Sequence, residues 1–211
     1  IGLLVTAHTI LPSLQKSIPY DVTKDFAPIT IVNRAPKLVL AHPSVPANDL
    51  GQLIALAKSN PEKYASYATS GVGSMANLSM ELVNSLAGTK FVHIPYKGGS
   101  AAQADLLGGQ LLIGVLDMGS VLPHVKEGKL KVLAVTSKAR SPILPNVPTI
   151  AETLPGFESE EWFGLVAPKG TPDDIVQKLA AESGSASTGT TRPASSPSTA
   201  ARPSTRDRAA R

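Results

Sequence analysis

Cysteine is absent from the 211 residues. A disulfide, a thiolate metal site and a cysteine nucleophile are therefore excluded. The absence suits an oxidising compartment. No apolar run approaches the roughly 20 residues that span a bilayer, and Ile1-Gly2-Leu3-Leu4-Val5 reads as a strand rather than a leader with a charged first region. The four histidines, His8, His42, His93 and His124, show no HxxxH spacing. With no cysteine beside them they do not compose a metal site. The G-x-S-x-G elbow of a serine hydrolase is missing as well, since Ser70-Gly71-Val72-Gly73-Ser74 does not match it.

What charge there is sits unevenly. The formal net charge of +4 and a pI near 9.3 invite a nucleic-acid reading. Yet Ser183 to Arg211 holds five Arg and one Asp, and the remaining chain balances 15 basic against 15 acidic residues. No basic patch is implied on the folded part, so no nucleic-acid partner is expected. That last segment has no Leu, Ile, Val, Phe, Tyr or Trp. It cannot bury enough apolar surface to offset chain entropy, and residues 183–211 are expected to be a disordered, low-complexity tail. The rest, in a chain 42% hydrophobic, suffices for one or two globular units.

Short apolar runs alternate with helical patterns. Ile1 to Val5, Ile29 to Val32, Leu38 to Ala41, Phe91 to Ile94, Leu111 to Leu116, Leu130 to Val135 and Glu158 to Val166 read as strands. Helices are expected over Leu50 to Lys58 behind Asn48 or Asp49, after Ser74, over Ala101 to Leu107, at Ser120 to Lys126, and after Thr171. Tyr64, Tyr67 and Ala68 suit another strand, and Thr6 to Thr9 a polar turn. The class is α/β with a mostly parallel sheet. Ligands of such sheets lie beyond the carboxyl ends of strands, where Thr6 to Thr9, Thr69 to Ser74, Tyr96 to Ser100 and Asp117 to Ser120 fall.

The richest of these turns is Ala68-Thr69-Ser70-Gly71-Val72-Gly73-Ser74-Met75-Ala76-Asn77-Leu78. Gly71 and Gly73 permit positive φ and close backbone approach. Ser70 and Ser74 are N-cap types, and Leu78, Leu82, Val83 and Leu86 follow at helical spacing. A helix N-terminus of this kind attracts anions. It has no Lys before its last Ser, so it is not a GxxxxGK[ST] phosphate loop. The next strand ends in Lys97-Gly98-Gly99 with no carboxylate for a ribose, which argues against a dinucleotide. A small carboxylate fits better. The bland alternative is a Gly-rich turn that only connects a strand to a helix.

Several segments together resemble one family. They are Pro19-Tyr20-Asp21 with Lys24 to Ile29; Ser70 to Ser74 with Asn77-Leu78; His93-Ile94-Pro95-Tyr96-Lys97-Gly98; Leu133-Ala134-Val135-Thr136-Ser137; Pro145 to Glu152; and Trp162 to Pro172. Collinear over about residues 1 to 180, they are similar to the substrate-binding proteins of tripartite tricarboxylate transporters, the Bug family. The resemblance implies a two-lobed, periplasmic-binding-protein-like fold of type II with the first lobe incomplete. It implies a partial first lobe over residues 1–36, a second lobe over 37–158 and a return over 159–182. Family members begin earlier, with a signal peptide, a first strand and a Gly-rich turn bearing an Asp. They also continue past Lys178-Leu179 into an amphipathic helix. The chain thus reads as an N-terminally truncated fragment with an atypical end, and its tail suits an out-of-frame reading of a GC-rich gene. Transcript in frame through codon 183 would contradict that.

The function implied is periplasmic capture of a small carboxylate for delivery to membrane permease subunits, by a monomer, with no cofactor, metal or catalysis. The ligand residues carried over by position are Ser70, Gly71, Val72, Gly73 and Ser74 from the second lobe, with Thr6, Ala7 and His8 as first-lobe wall, and Asp117. Trp162 and Phe163 are expected to pack the lobe interface, and Tyr20 and Phe26 the core. Tyr96 and Lys97 would line the cleft, or else pack and face water. Arg34 and Arg140, the only Arg residues before the tail, fall in no expected turn of the cleft. Closure would hinge near Arg34 to Lys37 and Ser159 to Phe163. The alternative is an enzyme holding an anionic substrate in the same turn, with Asp117 or His8 as general base. A ligand-sensing domain of a regulator would need a DNA-binding module beside it.

Overall fold

The computed structural model describes residues 1–14 and 17–186. In chain order the elements are β1 (Gly2–Val5), α1 (Thr6–Leu14), β2 (Phe26–Ala35), β3 (Lys37–Ala41), α2 (Leu50–Ser59), α3 (Pro61–Tyr64), β4 (Ser66–Thr69), α4 (Met75–Ala87), β5 (Val92–Pro95), α5 (Gly99–Leu107), β6 (Ile113–Asp117), α6 (Met118–Lys126), β7 (Lys131–Val135), α7 (Ile150–Thr153), β8 (Glu161–Pro168) and α8 (Asp173–Ala186). They build two sheets: three antiparallel strands in the order β1-β8-β2, and five strands in the order β5-β4-β6-β3-β7.

The five-stranded sheet lies between helices. Along β3 every residue is buried, and alternate side chains enter different cores. Val39 and Ala41 join Leu53 of α2 and Met80 of α4 on one face, while Leu38 and Leu40 join Leu106 of α5 and Val121 of α6 on the other. Burying each of the larger of these side chains, Val, Leu or Met, contributes roughly 1.5–3 kcal/mol relative to exposure. The sheet is less parallel than the sequence pattern suggests. β4 runs parallel to β5 and β6, but β3 is antiparallel to both β6 and β7. The reason is connectivity: β3 is entered directly from β2 across Pro36, out of the other sheet, without the crossover helix that a parallel neighbour requires.

Three further expectations change. Thr6 to Thr9 is not a turn but the start of α1. Pro12 inside that helix cannot donate to the His8 carbonyl, and the Tyr20 hydroxyl donates to it instead at 3.5 Å. Tyr64 closes the helical turn α3 rather than opening a strand. Thr171 does not cap α8: its hydroxyl donates to Pro168 O at 2.7 Å, and the Ile175 and Val176 amides donate to Pro172 O. Helix α8 itself runs to Ala186, past the boundary set at Ser183, and residues 187–211 of the expected tail lie outside the described residues. Tyr20 and Phe26 are half-buried and pack edge to face at 6.0 Å.

The start of α2 follows its sequence signal. Asp49 accepts the Gln52 amide at 2.8 Å, and its second oxygen accepts from Gln52 Nε2 at 2.8 Å. Asp49→Ala is expected to lower the unfolding free energy by about 1 kcal/mol, with Asp49→Ser retaining most of it. A urea melt of the two variants checks this, and equal midpoints for Asp49→Ala and the parent chain would contradict it.

Candidate functional site

Strand β4 ends at Thr69, and the chain turns through Ser70–Gly73 before Ser74 caps α4. Gly71 has φ 146° and Gly73 φ 73°, a path that favours glycine at both positions. Side chains then fix the turn from within. The Gly71 amide donates to Thr69 Oγ1 at 3.1 Å, and the Gly73 amide to Asn77 Oδ1 at 3.1 Å. Ser74 Oγ donates to Gly71 O at 2.8 Å and accepts the Asn77 amide at 3.3 Å, while the Ser74 amide reaches Gly71 O at 3.4 Å. The glycine amides are therefore spent on the turn itself. Among the described residues, the amides of Val72, Met75 and Ala76 donate to no protein acceptor. These three, at the positive end of the 13-residue helix α4, are able to hold an anion. The Val72 side chain, 80% exposed, stands at the apex, and the Ser70 carbonyl accepts from the Gly98 amide of the adjoining turn at 3.2 Å.

Met75, at the head of α4, also lines a 420 Å³ cavity between α4 and the three-stranded sheet. The opposite wall is Thr6 of α1, Arg34 of β2, Glu158 to Glu160, and Trp162 of β8. Of the three first-lobe candidates, the structure brings Thr6 to this cavity and leaves Ala7 and His8 out of its lining. The Thr6 hydroxyl is committed: it accepts the Trp162 amide at 2.9 Å, tying α1 to β8. His8 Nδ1 accepts the Val5 amide at 3.2 Å, and its ring faces Tyr20 at 6.1 Å. Arg34, outside the turns weighed in the sequence, does reach the cavity, paired with Glu160 at 2.5 Å. Arg140 pairs with Glu152 at 2.5 Å. Trp162 lines the cavity too. Tyr96 donates to Asp105 at 2.6 Å, a bond that raises its own pKa, and Lys97 is exposed.

Asp117, at the end of β6, is not an isolated carboxylate. Lys37 at the first position of β3 forms ion pairs with Asp117 and, at 2.6 Å, with Glu161 of β8. Burial opposes charge on this lysine, but its bonds to the two carboxylates outweigh burial and hold its pKa above the usual 10.5. Lys37 thus ties β8 of the three-stranded sheet to β3 and β6 of the other. Beside it β2 and β8 pair directly, Arg34 opposite Trp162 and Ala35 opposite Glu161. A further tie joins Ser159 Oγ to Ser79 Oγ of α4 at 2.7 Å. Lys37 was placed only at a hinge by sequence reasoning and its ion pairs were missed, although a charged first residue in Lys37-Leu38-Val39-Leu40-Ala41, an otherwise apolar run, was their available signal. The two general-base candidates are engaged separately, Asp117 with Lys37 and His8 with Val5 and Tyr20. Among the described residues, no group of three or more His, Asp or Glu could hold a metal ion, and no helix is long and apolar enough to cross a membrane.

Known proteins share this fold. BugT of Bordetella pertussis is 39% identical over 168 residues, which is 79% of this chain and 51% of that protein. The structure of MatC from Rhodopseudomonas palustris with bound malate superposes with a TM-score of 0.71 at 32% identity, covering 87% of this chain and 64% of that one. Rpa4515 of R. palustris with adipate gives a TM-score of 0.69 at 34% identity, covering 80% and 56%. The chain spans about half the length of the curated relatives it matches. Residues 1–197 match the family described as the tripartite tricarboxylate transporter family receptor. With that match and a Bug-named relative at 39% identity, the chain belongs to the family of tripartite tricarboxylate transporter receptors, the Bug proteins.

Proposed function

We propose that this chain is the ligand-gripping portion of a periplasmic solute-binding receptor. It captures a small carboxylate and presents it to permease subunits of a tripartite transporter, acting as a monomer and without catalysis. The observation that carries this reading is the set of three amides, Val72, Met75 and Ala76, left without a protein acceptor at the head of α4. A carboxylate accepts from such amides in charge-assisted bonds, without a dedicated Arg. Arg34 is already neutralised by Glu160, and Glu158 adds further negative charge to that wall, so attraction falls to the turn. Malate and adipate, named with two structural relatives, support a ligand of that size class. Closure is a hinge at the paired crossing segments, near Arg34 to Lys37 and Ser159 to Phe163.

A thermal-shift comparison tests the charge requirement. Malate or adipate at saturating concentration is expected to raise the melting temperature, since about 100 Kd of ligand adds roughly 2.7 kcal/mol to the native state. The uncharged dimethyl ester of malate is expected to leave it unchanged. An equal rise with the ester would contradict carboxylate recognition.

A further inference from the structure

We propose that His93 is the positioning residue of the Ser70–Ser74 turn, holding it through Thr69. The inference rests on reading that turn as the anion grip. His93 lies on β5 opposite Tyr67 of β4, and the two rings stack at 5.2 Å and 27°. The stack fixes the imidazole so that Nε2 meets Thr69 Oγ1 at 2.6 Å. Thr69 is fully buried and is the acceptor for the Gly71 amide. Tyr67 is braced in turn, its hydroxyl donating to Glu81 at 3.0 Å and accepting from Asn77 Nδ2 at 2.9 Å. Asn77 is the residue that holds the Gly73 amide. Both glycine amides of the turn are thereby tied to one buried network of β4, β5 and α4 side chains.

The Thr69 hydroxyl has one proton and two possible acceptors, His93 Nε2 at 2.6 Å and Gly71 O at 3.2 Å. With a neutral ring protonated on Nδ1, the shorter bond takes it. Gly71 O then serves only Ser74, whose hydroxyl and amide already donate to it. A protonated ring donates from Nε2 instead, and the Thr69 proton must turn to the crowded Gly71 carbonyl. The neutral ring is the form the fold favours. Burial holds the His93 pKa below 6.5 against the opposing pull of Glu81, the carboxylate that acts on it from α4, while Tyr67 faces it from β4. Because the folded value is depressed, the neutral-ring arrangement is fully present above 6.5 and is lost as pH falls through the folded value.

The test is an NMR pH titration of this chain, from about pH 8 to about pH 4.5, a window that brackets the imidazole range. The Gly71 amide is expected to shift with the same midpoint as the His93 ring. In Thr69→Val, His93 should still titrate while Gly71 no longer follows. A Gly71 amide that stays flat through the His93 midpoint in the parent chain would overturn the proposal. Malate affinity, measured above that midpoint, gives a second arm. His93→Phe is expected to weaken binding about three- to tenfold, the worth of one hydrogen bond. His93→Gln, whose amide Oε1 can accept the Thr69 proton in place of Nε2, should restore it to within about twofold. Equal weakening by Phe and Gln would reduce His93 to a packing role and overturn the proposal. If the parent chain binds neither malate nor adipate while Gly71 still follows His93, the carboxylate function fails and the positioning role stands.

Discussion

Lys37→Met is expected to lower the unfolding free energy by about 3 kcal/mol, the lower end of what breaking a buried ion pair costs. Lys37 is 8% exposed, and its ammonium is shared by Asp117 and Glu161. The Asp117 side chain, 53% exposed, can turn to water at little cost once the lysine is gone. The Glu161 side chain, 16% exposed, cannot, and it is left as a nearly buried carboxylate without a cation. Methionine fills the space of the lysine stem, so the loss reports charge rather than a cavity. The Lys37 backbone contacts, its amide to Thr136 Oγ1 at 3.0 Å and its carbonyl from the Thr136 amide at 3.0 Å, survive the change. Pairing Lys37→Met with Glu161→Gln removes the stranded charge and should recover most of the loss. Urea denaturation of the single and double variants measures it. A single-variant loss below about 1 kcal/mol, the range of an exposed pair, would contradict the burial argument.

Gly71→Val is expected to weaken malate binding by about a hundredfold, equivalent to about 3 kcal/mol, while the chain stays folded. At φ 146° a β-branched residue is strained whatever the space, and a Cβ there meets Tyr96 O at 3.5 Å. The turn must relax, which displaces the amides of Val72, Met75 and Ala76. Gly73 gives the internal contrast. Its φ of 73° lies in the left-handed region, but a Cβ there meets nothing within 4 Å. Gly73→Ala should cost only about 1 to 2 kcal/mol of backbone strain. Calorimetric titration of both variants, with circular dichroism as a folding control, separates the two. Equal affinity in Gly71→Val and the parent chain would sink the role of the turn.

Much of this site is local and so was readable in the residues. Gly71, Gly73 and Ser74 sit within five positions, and the pattern of strand, glycine turn and capped helix follows from their individual preferences. The two-faced packing of β3 is likewise visible in its apolar run. What escaped the sequence depends on partners distant in the chain. Lys37 meets Glu161 across 124 positions, and Ser79 meets Ser159 across 80; no spacing rule links them. Helix α1 escaped because Pro12 looks like a breaker until Tyr20 supplies the missing donor. The direction of β3 escaped because it is set by the crossing from one sheet to the other, not by its side chains. Even within the turn, glycine composition suggested two amides for a ligand that Thr69 and Asn77 in fact consume.

If a carboxylate is held by the backbone at the head of α4, an NMR titration of the isotope-labelled chain with malate, followed amide by amide, detects it even where binding is weak. Saturable shifts are expected, largest at Val72, Met75 and Ala76 and suppressed in Gly71→Val. Saturable shifts centred elsewhere, with those three amides unmoved, would contradict it.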